Sequence, residues 1–248
     1  MQLIVDFVEF DKKNDFSGYT LIEGFPGMGL VGPIAAKHLI DKLGFEDVGY
    51  IDSNAFNPII RIHKALPVRP ARIYADRKNK VLVLIAEQVI AKNHTYFFAK
   101  KTAEWITKKG IKELISLSGI HSAAGTPSKE IIYGIAANEE SKPLLKKYGL
   151  TEIDEGITTG ITALILLELK NSKINAISIL GNVEMTTDYK ASAEVLKKLN
   201  EILGLNLDVD PLLNEARELE KQLVQHLQKM KTTKDSSEKF EQSAPLIT

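Results

Sequence analysis

Residues 24–32 read Gly24-Phe25-Pro26-Gly27-Met28-Gly29-Leu30-Val31-Gly32, between a strand-like run at residues 19–22 and a helix-like run at residues 34–43. Glycine at this density, with a proline, is typical of a sharp turn that another group can approach closely. The spacing Gly27-x-Gly29-x-x-Gly32 also matches the dinucleotide-binding pattern, in which a helix start holds a pyrophosphate. The stretch, called the glycine loop below, is therefore either a nucleotide site or a structural turn.

Three residues around the glycine loop bear on this choice. Asp52 follows Gly32 by twenty residues, near the spacing of a ribose-binding carboxylate. Pro26 and Pro33 each remove a backbone N–H group, and such groups are what bind a pyrophosphate. The prolines favour a structural turn, although the pattern alone leaves the nucleotide site open.

If the glycine loop is a structural turn, its glycines have a packing role. We expect Gly24, Gly27, Gly29 and Gly32 to permit tight packing of the strand against the following helix.

Strand-like and helix-like segments alternate along the chain. The strand-like runs lie at residues 19–22, 48–51, 81–86, 114–118 and 176–180, and the helical patterns at residues 34–43, 95–109, 161–170 and 189–203. This alternation predicts an α/β fold of three layers, α/β/α, with a mostly parallel central sheet. Residues 59–62 and 72–74 read as short strands joined by prolines, an antiparallel addition to that sheet.

A last amphipathic helix is predicted at about residues 211–230, with Asp210 as its N-cap. Its apolar residues, among them Leu212, Leu219 and Leu223, follow a heptad spacing. The helix either packs on its own domain or forms a subunit contact. We predict a single domain over residues 1–230 that includes this helix.

Residues 231–248 are predicted to be a flexible tail, because their polar start buries too little apolar surface to order the chain. The sequence turns apolar again at Leu246-Ile247-Thr248. Such an end suits docking into a partner's pocket and is equally compatible with a terminus that has no role.

Composition limits the possible functions. The chain has 32 basic and 32 acidic residues and no cysteine. Zero net charge argues against a nucleic-acid partner, and the lack of cysteine excludes disulfides, thiolate metal sites and thiol nucleophiles.

The sequence has no signal-peptide pattern and no apolar run of about 18 residues, so we expect a cytoplasmic protein without a membrane partner. The five histidines lack metal-ligand spacing, and we predict neither a metal nor a cofactor.

Three candidate site residues, Glu23, Glu87 and His121, each follow a strand-like run. Ligands of open α/β sheets bind at this edge, where such groups support general acid–base chemistry. Polar residues also occupy loops for no catalytic reason, and we identify no catalytic set. The alternative function is a small-molecule enzyme of phosphorylase or nucleotide-ligase type, with the glycine loop as its phosphate site and these three residues near the reaction.

The glycine loop resembles the hallmark loop of the proteasome assembly chaperone family, including its archaeal members. Glu87 lies where family members often carry a glutamate after a central strand. Further segments are similar to the family in the same order, at residues 55–58, 70–74, 156–164, 191–205 and 210–223. The resemblance extends to about residue 230.

This resemblance implies a fold like the nucleoside-phosphorylase α/β/α sandwich, without catalytic activity. It also implies a chaperone that assists assembly of the proteasome core, binding α subunits as a homo-oligomer. Oligomer contacts would then involve Leu212, Leu219 and Leu223. Some archaeal members end in a hydrophobic-Tyr-X motif that enters pockets between α subunits. Here the corresponding partner-binding tail is Leu246, Ile247 and Thr248, with isoleucine in the tyrosine position.

Overall fold

A computed structural model describes residues 2–58, 60–121, 132–214 and 218. The strands are β1 Val5–Glu9, β2 Thr20–Gly24, β3 Glu46–Ser53, β4 Arg61–His63, β5 Leu66–Val68, β6 Ala71–Asp76, β7 Val81–Ala86, β8 Glu113–Ile120, β9 Tyr133–Ala136, β10 Thr151–Glu152 and β11 Asn175–Asn182. The helices are α1 Val31–Leu43, α2 Thr95–Lys108, α3 Lys142–Lys147, α4 Ile161–Glu168 and α5 Tyr189–Leu203.

One nine-stranded sheet forms the centre, in the order β1-β3-β6-β7-β2-β8-β11-β9-β10. The middle four strands, β7-β2-β8-β11, are parallel. The sheet becomes antiparallel on both sides of them, from β7 outward to β1 and between β11 and β9. The predicted α/β architecture is confirmed, with its parallel part in the middle of a mixed sheet.

The alternating side chains of the sheet supply two apolar layers. Leu82 and Leu84 of β7 join the cluster that includes α2 and α4, whereas Val83 and Ile85 join the cluster that includes α1 and α5. All six residues of β7 are buried, as their continuous apolar sequence predicts for a strand covered on both faces. Helices therefore cover the sheet on both sides, which gives the three layers.

The segment around residues 59–76 divides between two sheets. Residues 72–74 lie in β6, which is antiparallel to β7 as proposed. β4 and β5 instead form a separate two-stranded hairpin. The hairpin connects β3 to β6 outside the main sheet.

The C-terminal segment is described only in part. Residues 210–214 are helical, so the helix begins one residue before the predicted position. Leu212 is 2% exposed and packs into the cluster that includes α1 and α5. This burial supports packing of the helix on its own domain. The predicted oligomer contacts Leu219 and Leu223, the domain end at residue 230 and the tail Leu246-Ile247-Thr248 lie outside the described residues.

Within the described ranges, no helix is both long enough and apolar enough to cross a membrane.

Candidate functional site

The glycine loop connects β2 to α1 at the carboxyl edge of the parallel strands. It contains a single 3-10 turn, Met28–Leu30, and both Gly29 and Leu30 have positive φ, at 66° and 52°. The Leu30 N–H donates to the Gly27 carbonyl oxygen over 3.1 Å, and the Asp188 N–H donates to the Gly29 carbonyl oxygen over 2.8 Å. The second bond ties the loop to the start of α5.

Three of the four loop glycines are required by close packing. A Cβ atom would lie 2.6 Å from the Ala36 Cβ if placed on Gly24, and 2.5 Å from the Leu117 carbonyl oxygen if placed on Gly32. On Gly29 it would lie 2.7 Å from a methyl carbon of Val183. Gly24 and Gly32 thus let α1 approach β2 and β8 closely, whereas Gly29 makes room for Val183, which follows β11.

Gly27 departs from the expected packing role. A Cβ atom on Gly27 would meet only the Ser118 hydroxyl oxygen, at an ordinary contact distance of 3.4 Å. Its backbone is extended, with φ of −143°. Packing therefore does not require glycine at this position.

The dinucleotide interpretation fails on the order of the strands. In dinucleotide-binding folds, the strand that carries the ribose carboxylate lies beside the strand that precedes the glycine loop. Here β3, which carries Asp52, is separated from β2 by β6 and β7, a distance of about 14 Å at normal strand spacing. The Asp52 carboxylate instead pairs with Arg69, with 2.7 Å between Nη1 and Oδ1.

Glu23, the last residue but one of β2, is fully buried on the α4 side of the sheet. Its carboxylate accepts hydrogen bonds from the Phe25 N–H, at 2.9 Å, and from the Thr162 hydroxyl, at 3.0 and 3.2 Å to its two oxygens. Burial raises the pKa of the Glu23 carboxyl, and the hydrogen bonds from Phe25 and Thr162 oppose that shift. Glu23 thus links the glycine loop to the first turn of α4.

Glu87 lies on the opposite side of the sheet from Glu23. It lines a groove together with Pro33 and Lys37 of α1, and its Oε1 is 2.7 Å from Arg72 Nη2. Because Glu23 contacts α4 and Glu87 faces α1, the sheet separates the two carboxylates. The structure does not bring them together as an acid–base pair.

His121 follows β8 and is held by a backbone contact. Its Nδ1 lies 2.8 Å from the Val183 carbonyl oxygen, which only accepts, so Nδ1–H donates. The three candidates Glu23, Glu87 and His121 therefore each have a structural partner. In the part of the chain that the structure describes, no group of three or more His, Asp or Glu residues has the arrangement of a metal site.

A cavity of about 350 Å³ lies beside the glycine loop, between that loop and the start of α4. Four of its lining residues carry hydroxyl groups, Ser118, Thr158, Thr159 and Thr162. Among its described lining residues there is no lysine, arginine or histidine. These described residues would give a bound phosphate no cationic partner, which weakens the alternative function.

Asp188 is a further residue of this edge, which was not among the residues predicted from the sequence. One carboxylate oxygen accepts from the Ala191 N–H at 2.8 Å and the other from the Glu184 N–H at 2.9 Å. Asp188 is thereby the N-cap of α5 and the residue whose own N–H binds the glycine loop. An aspartate immediately before a helical pattern is the sequence signal that identifies such a cap.

Together these features define an α/β/α protein whose glycine loop is a packed turn, joined by Glu23 to α4 and by Asp188 to α5. The model of the PAC2 family matches residues 21–227, and the chain belongs to that family.

Known sequences and structures resemble nearly the whole chain. An uncharacterised protein of Methanocaldococcus jannaschii is 31% identical over 234 residues, which cover 92% of this chain and 95% of that protein. The crystal structure of Pyrococcus furiosus PbaA, described as an archaeal homologue of proteasome-assembly chaperone, superposes with a TM-score of 0.81 at 29% identity. The match covers 96% of this chain and 98% of PbaA.

A eukaryotic relative matches a shorter part. Proteasome assembly chaperone 2 of Bos taurus is 23% identical over 120 residues, 45% of this chain and 46% of the bovine protein. The resemblance to the proteasome assembly chaperone family is confirmed by these comparisons.

Proposed function

We propose that this protein is a non-enzymatic cytoplasmic chaperone that assists assembly of the proteasome core by binding α subunits as a homo-oligomer. The observation that carries the proposal is the likeness to PbaA over almost the full length of both chains. The relatives described as proteasome-assembly chaperones or their homologues support the same class of function.

The geometry of the carboxyl edge favours a binding protein over an enzyme. The carboxylates of Glu23 and Glu87 are engaged by Thr162 and Arg72, and they lie on opposite sides of the sheet. Among the described residues that line the cavity beside the glycine loop, no cationic side chain is available for a phosphate. We therefore expect the partner to bind at the surface of the protein.

The proposed partner contact at the C-terminus is Leu246-Ile247-Thr248. An apolar side chain at residue 247 suits a shallow apolar pocket, and a second contact made by the same chain is effectively intramolecular. Since Leu212 is buried in its own chain, the oligomer contacts that we propose for the C-terminal segment are Leu219 and Leu223.

The test is a pull-down of purified α subunits by the full chain and by residues 1–230. We expect both forms to retain α subunits, the shorter form more weakly because the tail contact is lost. Ile247→Lys in the full chain is expected to reproduce the loss, and Ile247→Tyr to strengthen retention. Failure of both the full chain and residues 1–230 to retain α subunits would overturn the proposal.

A further inference from the structure

The hairpin β4–β5 exposes apolar side chains on both of its faces. Ile62 pairs with Pro67, and His63 pairs with Leu66, so Ile62 and Leu66 point to opposite faces. Ile62 is 69% exposed and Leu66 is 67% exposed. An element that is apolar on both faces fits a groove that surrounds it better than a flat surface.

The hairpin also has few means of stabilising itself. Its two strands pair only with each other among the described strands. Its turn places two non-glycine residues, Lys64 and Ala65, at φ of 48° and 62°, where glycine or asparagine is usual. Isolated two-stranded hairpins are marginally stable in water, so contact with a partner would stabilise this one.

The charged side chains in and around the hairpin are all basic. From residue 53 to residue 75 the sequence contains no aspartate or glutamate. Lys64 lies exposed at the tip of the hairpin, and no ion pair joins it to a described residue. The hairpin therefore suits a groove with an apolar floor and an acidic rim.

A groove with those properties lies at the other end of the sheet. Its volume is about 620 Å³, and it is formed by β9, the segment after β10 and the second half of α4. Its apolar lining includes Ile135, Ile153, Leu166 and Leu167, of which Leu167 is 58% exposed.

The rim of this groove is acidic. Four exposed acids line it, Glu139, Glu140, Glu152 and Asp154, against the two lysines Lys142 and Lys170. None of the four acids is ion-paired within the described part of the chain. Their charge complements the hairpin and remains available for a partner.

One copy of the chain cannot fill its own groove. The hairpin joins β3 and β6, whereas the groove begins at β9, five strand positions beyond β6 and thus about 24 Å away. We propose that the β4–β5 hairpin of one copy inserts into the acidic groove beside β9 and α4 of a second copy. The contact joins two different surfaces, so repeated contacts close into a ring or extend into a filament.

This inference rests on the homo-oligomer part of the proposed function and names the surfaces that form it. Because the chain has no cysteine, disulfide trapping tests it directly. Oxidation of the double variant Ile62→Cys/Leu167→Cys is expected to give a ladder of covalent multimers, while each single variant gives none. The matched control is Ile62→Cys/Tyr96→Cys, which carries an equally exposed residue on α2 and is expected to give no ladder.

Charge reversal supplies a second measurement that does not depend on trapping. Lys64→Glu and Glu152→Lys are each expected to lower the mass of the oligomer in solution, and the double variant to restore it at least in part. If the single variants lost the oligomer because they misfolded, combining them would not restore its mass. Restoration in the double variant therefore indicates a direct contact between the two charges.

The outcomes separate this contact from the wider proposal. An oligomeric chain that gives no ladder, or cross-linking of Ile62→Cys to itself, overturns the contact alone. A chain that is monomeric at every concentration overturns both the contact and the homo-oligomer. A ladder without retention of α subunits sustains the contact and overturns the chaperone function.

Discussion

Gly32 shows how a single residue fixes the approach of α1 to the sheet. Gly32→Ala would place a Cβ atom 2.5 Å from a backbone oxygen of β8, and backbone atoms cannot move aside as a flexible side chain does. We expect the free energy of unfolding to fall by about 1–3 kcal/mol, the usual cost of overpacking a core. Urea denaturation measures this loss.

Gly27→Ala is the matched control in the same loop. Its Cβ atom would make only an ordinary contact on an extended backbone, so we expect a change within about 0.5 kcal/mol. Equal losses for the two variants would contradict the packing account of the glycine loop.

Glu23 makes stability depend on pH. Its folded-state pKa is raised above the ordinary 4.5, chiefly by burial. The unfolded chain ionises freely above that value, whereas the folded chain must retain the proton or bury a charge, so stability falls as pH rises through this window. In Glu23→Gln this loss is absent. We expect the unfolding free energy of the variant, relative to the native chain, to increase from pH 4 to pH 8.

Denaturant titrations at several pH values provide the measurement for Glu23→Gln. Glu155→Gln, at an exposed glutamate, serves as the control and should follow the native chain. If the unfolding free energies of Glu23→Gln and of the native chain change with pH in the same way, burial does not raise the pKa of Glu23.

The sequence predicts some residue properties and not others. A strand–turn–helix at the glycine loop and a polar residue at the end of β2 follow from local pattern. The contact between Glu23 and Thr162 does not, because it joins residues 139 positions apart and depends on which helix covers that face. Local pattern thus locates Glu23 at the sheet edge but does not reveal its burial.

Asp188 connects two elements, since it caps α5 and binds the glycine loop through its backbone. Asp188→Ala removes the side-chain acceptors for the Ala191 and Glu184 N–H groups. We expect a loss of about 1–2 kcal/mol, at the upper end for N-caps because Asp188 is buried. Thermal unfolding measures it.

Asp188→Asn is the matched variant for this cap. Its side-chain oxygen can still accept from the Ala191 N–H, whereas its amide nitrogen cannot accept from the Glu184 N–H. It should therefore retain part of the stability that Asp188→Ala loses. Equal destabilisation by both variants would contradict a stabilising role for the bond to Ala191.

At the level of elements, β7 was predictable and the strand order was not. The six apolar residues of β7 identify a buried strand without further information. β1 escaped prediction because only Val5 among its residues is buried. The dinucleotide interpretation of the sequence required the strand of Asp52, β3, to lie beside β2. In the sheet, β3 lies three positions from β2. Strand neighbours are set by tertiary packing, which local pattern does not contain.

For the whole molecule, the alternative enzyme function predicts a ligand that stabilises the folded chain. A ligand at 100 times its Kd adds about 2.7 kcal/mol to stability, which shifts Tm by several degrees in a domain of this size. We expect nucleotides, nucleosides and phosphate at millimolar concentration each to change Tm by less than about 1 °C. A saturable rise of several degrees would instead support a phosphate site at the glycine loop.

The proposed assembly contains several copies of this chain bound to proteasome α subunits. Native mass spectrometry of the purified chain mixed with α subunits measures composition and stoichiometry together. We expect complexes that contain at least two copies of the chain and one or more α subunits. Spectra in which the chain and the α subunits appear only separately would contradict this expectation.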